Sequence, residues 1–170
     1  MKKTTFMFCV LASLSLAACG TDSLADRSNS NLISENVQIP SPFVECETIK
    51  QAIELAGFNF SIPDNFANEY IQGAIEVIPE ELIDITYSDG DHEIRVRKGI
   101  GNEDISGVYT HFNETNTVEV NGLKVTLKGN DGHIGVATWA DNNYSYSITI
   151  VDDEITVNQE MIIEMIKVIY

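Results

Sequence analysis

Between Thr117 and Val151 the chain reads TVEVNGLKVTLKGNDGHIGVATWADNNYSYSITIV, four short runs separated by three turn signals. Asn121-Gly122, Asn130-Asp131-Gly132 and Asp141-Asn142-Asn143 supply residues that tolerate positive φ. Between them the side chains alternate. Val118 and Val120 oppose Glu119, and Val125 and Leu127 oppose Lys124, Thr126 and Lys128. Ile134, Val136 and Thr138 are expected to oppose Ala137 and Trp139, and Tyr144, Tyr146, Ile148 and Ile150 to oppose Ser145, Ser147 and Thr149. A period of two with one polar face predicts antiparallel strands with one wet side. Parallel pairing needs crossovers of a dozen residues, for which these gaps have no room.

The rest of the folded part extends this sheet. Thr48-Ile49-Lys50-Gln51 has the capping-box pattern, and Ile49, Ala52, Ile53 and Ala56 share a helical face that Gly57 ends. So short a helix holds only if it lies on the sheet. Phe58, Phe60 and Ile62 alternate as a strand up to Pro63. Tyr70 to Ile78 predicts a strand with Ile71, Gly73, Ile75 and Val77 on one face. Leu82 to Tyr87 follows with Ile83, Ile85 and Tyr87 inward. After an Asp89-Gly90-Asp91 turn, His92 to Lys98 has Ile94 and Val96 inward, with Arg95 and Arg97 outward. Ile105 to Phe112 reads as one more strand, with Val108, Thr110 and Phe112 opposing Tyr109 and His111. At the C-terminus, Thr156 as cap with Gln159 opens a helix whose face is Ile162, Ile163, Ile166 and Ile169, with Met165 beside them. Glu160 and Lys167 complement its dipole. The fold class is α+β: a curved antiparallel sheet of about seven to nine strands in a meander, with an N-terminal and a C-terminal helix on one face.

The start of the chain is an address. Lys2 and Lys3 precede an apolar run, Phe6 to Ala18, shorter than the about 20 residues a membrane span needs. Leu16-Ala17-Ala18-Cys19 before Gly20 resembles the lipobox of bacterial lipoproteins. That resemblance implies residues 1–18 as a signal peptide and Cys19 as the site of diacylglycerol and further acylation, palmitate among the chains. It also implies anchorage on the outer face of the cytoplasmic membrane, in a Gram-positive envelope. Residues 19–40 are Ser/Asn/Asp-rich without a period and read as a tether, of r.m.s. span roughly 25 Å and extended reach near ~70 Å. Residues 41–170 form one domain. The chain carries 10 basic and 26 acidic residues, net −16, and loss of Lys2 and Lys3 deepens the deficit. Such a body is repelled by nucleic-acid phosphate and by anionic lipid, so contact with the bilayer is expected through acylated Cys19 alone. Cys46, left without a partner once Cys19 is lipidated, reads as a small apolar residue near a helix.

The runs GFNFSIPDNF, ELIDITYSDGDHEIRVRKG, GNEDISG, VTLKGNDG and ATWADNNYSYSI resemble a domain of unknown function of the DUF4367 type, found in small lipoproteins and in anti-sigma-like proteins. The likeness covers about Phe43 to Tyr170. It implies a curved sheet with helices on one face, similar in shape to periplasmic lipoprotein carriers and to sensor domains of sigma-factor regulators. It carries no catalytic residues and no cofactor.

No catalytic motif stands in the chain. The loop Gly99 to Gly107 holds Asn102, Glu103, Asp104 and Ser106. It lacks the Lys-Ser/Thr of a phosphate loop, and its carboxylates repel phosphate. It reads as a bulged connection or, failing that, as a functional loop. Asp89, Asp91 and Glu93 lack calcium-loop spacing and read as solvated turn carboxylates, with loose calcium association as the alternative. His92, His111 and His133 have no zinc spacing, and Ser106 beside Asp104 has no placed base. The aromatic residues Trp139, Tyr144, Tyr146 and Tyr109 are either core or a patch facing a peptide, glycan or lipid. The leading expectation is a non-catalytic binding or envelope-sensing module for a small apolar, lipid or peptide ligand. The alternatives are a hydrolase or other enzyme, and a structural or protein–protein interaction module.

Overall fold

The computed structural model describes residues 40–66, 69–151 and 157–169. The expected leader, Cys19, the expected tether as far as residue 39, and Thr156 lie outside them. Nine strands and two helices follow in the order β1 (Val44–Cys46), α1 (Ile49–Ala56), β2 (Asn65–Phe66), β3 (Tyr70–Ile78), β4 (Leu82–Ser88), β5 (Glu93–Ile100), β6 (Glu114–Val120), β7 (Leu123–Asn130), β8 (His133–Asp141), β9 (Tyr144–Ile150) and α2 (Gln159–Ile169). All pair antiparallel in one open sheet, in the order β1-β3-β4-β5-β9-β8-β7-β6, with β2 also on β3. The architecture is α+β, as the periodicity predicts. It is two meanders rather than one: β3-β4-β5 and β6-β7-β8-β9 join where β9 lies beside β5.

The three hairpin turns are built as their residues dictate. Asn121 and Gly122, Asp131 and Gly132, and Asn142 and Asn143 all have positive φ. That is the pattern of two-residue type I′ turns, whose twist suits the flanking strands. The helix side of the sheet gathers the core: Ile75, Val77, Ile83, Ile85, Tyr87, Ile94, Val96, Val125, Leu127, Ala137 and Ile148 are buried with Ala52 and Ala56 of α1 and Ile162, Met165, Ile166 and Ile169 of α2. Thr48 caps α1, its Oγ1 accepting from Gln51 N at 3.2 Å, and Gln51 Oε1 reaches back to accept from Glu47 N at 3.1 Å. Gly57 at φ 77° closes the helix, its N–H donating to Ile53 O. At α2 the cap contact comes from Asn158, whose Oδ1 accepts from Met161 N at 3.0 Å. Cys46 is buried at the end of β1, and burial pushes its thiol pKa up. No helix among the described residues is long and apolar enough to cross a membrane.

Four expectations are corrected. Two concern strand faces, and both turn on a glycine. In β3 the register slips between Gln72 and Ile75, so one extra residue sits opposite β4. Ile75 and Val77 face the core, whereas Ile71 lies 67% exposed on the other side. A bulge shifts the parity of everything beyond it; here it falls at Gly73, where a Cβ would meet Thr86 Oγ1 at 3.1 Å. In β8 the slip lies between the partners of Lys128 and Gly129, leaving Gly135 over. Ile134 therefore shares the core face with Ala137 and Trp139 instead of opposing them, and Val136 faces the opposite side with Thr149.

The other two concern segments that are not strands. Phe58, Phe60 and Ile62 lie in irregular chain, with Phe58 and Phe60 buried against the core rather than paired in the sheet. Residues 105–112 pair with nothing either. Because β6 is the far edge, the link from β5 must cross β9, β8 and β7, so it runs over the strands as a strap on the face opposite the helices.

Candidate functional site

The strap is held by charge. Arg97 points from β5 to the strap face, where its Nε and Nη2 bind Asp84 Oδ2 at 2.8 and 2.7 Å. Its Nη1 donates to the carbonyls of Ile105 and Ser106, both at 3.0 Å. Lys128 of β7 holds Asp104 Oδ2 at 2.8 Å. Farther along, Asn113 N donates to Asn130 Oδ1 at 2.8 Å and Gly132 N to Glu114 Oε2 at 3.1 Å, tying the strap's end to the β7–β8 turn.

The loop residues singled out by sequence form the first part of this strap. Asn102 and Glu103 are exposed. Asp104 and Ser106 form a local turn: Ser106 N donates to Asp104 Oδ1 at 3.0 Å, and Val108 N donates to Ser106 Oγ at 3.3 Å. Burial raises the Asp104 pKa, but the Lys128 and Ser106 hydrogen bonds outweigh it and leave the carboxyl below its usual range.

Beyond Ser106 the strap stands off the sheet and encloses a cleft of about 540 Å³. Val108, Thr110 and Phe112 form its roof, Val136 and Thr149 part of its floor, and Arg95, Asn130, Asp131 and His133 line it as well. The alternation read from residues 105–112 thus survives without a ladder, since Tyr109 points away at 99% exposure. Under the strap, β9 presents Ser145, Ser147 and Thr149, which face Gly99, Arg97 and Arg95 of β5 in register. All three are buried, and none of their hydroxyls has a hydrogen-bond partner among the described residues. The same holds for Arg95 Nε and Asp84 Oδ1, which lie 3.6 Å apart. Of the three hydroxyl residues, Thr149 lines the cleft.

The aromatic residues divide between the two faces. Trp139 is 4% exposed on the helix side and stacks on Tyr146 with centroids 5.3 Å apart and planes 2° from parallel. Tyr144 packs on Phe58 at 5.2 Å, and Phe60 packs on Tyr146 at 6.4 Å. Tyr109 is on the strap, across the sheet. Into the aromatic cluster Lys98 inserts its ammonium, 4.4 Å from the Tyr144 centroid and 5.3, 5.5 and 5.9 Å from those of Tyr146, Phe58 and Phe60. Its Nζ donates to Asn59 O at 2.6 Å. Burial lowers the Lys98 pKa, against a smaller opposing pull from Asp141. This cluster is therefore a cation–π site already filled by the chain's own lysine.

A second hollow, about 400 Å³ and mainly apolar, lies between α2 and β2, lined by Phe66, Met161, Met165 and Val168 with Glu160 and Glu164 at the rim. Among the described residues no three His, Cys, Asp or Glu side chains converge to hold a metal ion. Asp89 is occupied locally: its Oδ1 accepts from Asp91 N and His92 N, and its Oδ2 lies 3.0 Å from His92 Nδ1. The His92 side-chain hydrogen bond, then those backbone bonds, draw the carboxyl down to about 2.

Sequence reasoning missed Arg95, Thr149 and Phe112 as partners in one site. The available signal was the polar row Ser145, Ser147 and Thr149, which reads as a wet face, next to a connection too long for a hairpin. No family model matches this chain, and no curated protein or solved structure is significantly similar to it.

Proposed function

We propose that this chain is an exported lipoprotein, held at the outer face of the cytoplasmic membrane by acyl chains on Cys19, whose domain binds a small ligand without transforming it. The ligand site in this reading is the cleft beneath the strap. The observation that carries it is the cleft itself, about 540 Å³ between the strap and the sheet, lined by Arg95, Phe112, Val136 and Thr149. Ligand sites span about 300–1,000 Å³, a range that includes this cleft.

The non-catalytic part of the reading is supported by how the suggestive side chains are engaged. Asp104 is held by Lys128, and the Ser106 hydroxyl accepts from the strap's own backbone. The membrane part rests on Leu16 to Gly20 and on the net charge of −16, which leaves lipid on Cys19 as the attractive contact with an anionic bilayer. Two measurements test the reading. Cys19→Ala should move the protein out of the membrane fraction, and its retention there would remove the anchor. Native mass spectrometry of protein released gently from membranes should show a small bound mass that disappears in Thr149→Trp, which fills the cleft.

A second reading has its own observation. β6 is an edge strand of seven residues, mostly exposed, and pairs with β7 on one side. Such an edge can accept an extended partner segment by strand addition, which makes an interaction module the competing function.

A further inference from the structure

Resting on the second reading above, of β6 as an open edge, we infer that the partner of β6 is β6 of a second copy of this chain, the two strands pairing antiparallel about Thr117. The first ground is that the two edges of the sheet are finished differently. At one end β1 and β2 are three and two residues long, and very short edge strands template little. At the other, β6 pairs with β7 in unbroken register from Glu114 to Val120, with no proline, lysine or bulge to close it to other chains. Its two carboxylates are engaged at home: Glu119 lies across from Lys124, and Glu114 Oε2 accepts from Gly132 N.

The second ground is the phase of the hydrogen bonds. The two-residue turn at Asn121 and Gly122, both at positive φ, makes Val120 and Leu123 a hydrogen-bonded pair. Bonded and non-bonded pairs alternate along an antiparallel ladder, so Val118, Asn116 and Glu114 also bond to β7. Thr115, Thr117 and Glu119 turn their N–H and C=O outward, and all three residues are exposed. With a two-fold axis at Thr117, Thr115 meets Glu119 of the second copy and Thr117 meets its own counterpart. The outward-turned residues of the two strands coincide, so every such pair can exchange both its bonds.

The third ground is charge. On a chain of net charge −16, residues 114–130 are neutral, Glu114 and Glu119 balancing Lys124 and Lys128. The register sets Glu119 opposite Thr115 and Glu114 opposite Val120, so no carboxylate faces another across the seam. Thr117, whose neighbour on β7 is Thr126, meets a second Thr117, a favourable cross-strand pair. Charges elsewhere on the two acidic chains repel, but screening confines that to about 8 Å at physiological ionic strength. Such a pairing is isologous and closes on itself, leaving no long edge free.

Cysteine cross-linking of the full-length protein in intact cells, under mild oxidation, tests this. A hydrogen-bonded pair has Cα atoms about 5.5 Å apart, inside the disulfide range of about 4.4–6.8 Å. Thr117→Cys should therefore give a disulfide-linked dimer. Thr115→Cys and Glu119→Cys should each give little alone and should cross-link when the two variants are made together. Tyr109→Cys, at a fully exposed position on the strap, measures random collision, which Thr117→Cys should exceed severalfold. Site-resolved amide exchange on the unsubstituted protein is the second readout, and Thr115, Thr117 and Glu119 should be protected. A Thr117→Cys yield no higher than that of Tyr109→Cys, or equal yields from all three single β6 variants, overturns the inference. If the three amides are protected in spite of that, a different chain occupies β6 and the second reading stands. If they exchange as freely as unbonded amides, the edge is bare and the second reading fails as well.

Discussion

Arg97 binds the Asp84 carboxylate on one side and two strap carbonyls on the other, so one side chain joins β4, β5 and the crossing segment. Asp84 is the one buried charged residue among the described residues. Removing one partner of a buried pair leaves the other charge uncompensated, at about 3–5 kcal/mol. Asp84→Ala and Arg97→Met should each lower stability by that order in urea unfolding. Arg97→Lys should recover little, because an ammonium cannot reach the carboxylate and both carbonyls with the fork of a guanidinium.

Gly107 presses on the same side chain. Its φ is +70°, and a Cβ would lie 2.5 Å from Arg97 Nη1. Gly107→Ala adds backbone strain to that collision and should cost about 1–3 kcal/mol. Two residues on, Tyr109→Ala should stay within about 0.5 kcal/mol, since that ring is exposed. Thermal unfolding of the two variants side by side checks the contrast.

The Asp104–Lys128 contact makes strap attachment sensitive to acid. Asp104 has a folded pKa below its usual value, so its contribution to stability is present above about pH 4, where the unfolded carboxylate is also ionised. It is lost as pH falls through the lower folded value. Amide exchange in residues 105–112 should accelerate in that acid range before the sheet opens, and Lys128→Met should give the faster exchange already at neutral pH.

The Lys98 ammonium among four rings is the main polar feature of the helix side. Cation–π contacts contribute about 0.5–2 kcal/mol, depending on desolvation. A double-mutant cycle on Lys98→Met and Tyr144→Leu should return a coupling of about that size. Trp139 is the single tryptophan and is buried on Tyr146, so its emission reports these variants. It should be blue-shifted in the native protein and move to the red on unfolding. Trp139→Ala should cost about 3–5 kcal/mol.

Turn chemistry and alternation made most of the sheet legible. Asn121-Gly122 and Asn142-Asn143 announced their hairpins, and Ile83, Ile85, Tyr87, Ile94 and Val96 are all inward as their spacing says. The errors have two physical sources. Period-two reading carries parity forward indefinitely, so one extra residue at Gly73 or Gly135 misassigns what lies beyond it; this is how Ile71 and Ile134 went to the wrong faces. Strand pairing between distant segments is invisible to local pattern. Residues 105–112 alternate like a strand, yet the β5–β9 pairing sends them across the sheet. The cleft depends on that non-local choice, which is why Thr149, Arg95 and Phe112 could not be joined from their spacing.

The junction of the two meanders also sets the order in which the molecule assembles. Hairpins β6–β7, β7–β8 and β8–β9 close over two residues each, whereas Ile94 must find Ile150 across the stretch that holds the strap, β6, β7 and β8. Closing that large loop costs entropy before any contact rewards it, so the meeting of β5 with β9 is the slow event. Truncations at that seam, Val96→Ala or Ile148→Ala, should retard refolding in stopped-flow experiments. Ala52→Gly in α1 should act chiefly by hastening unfolding.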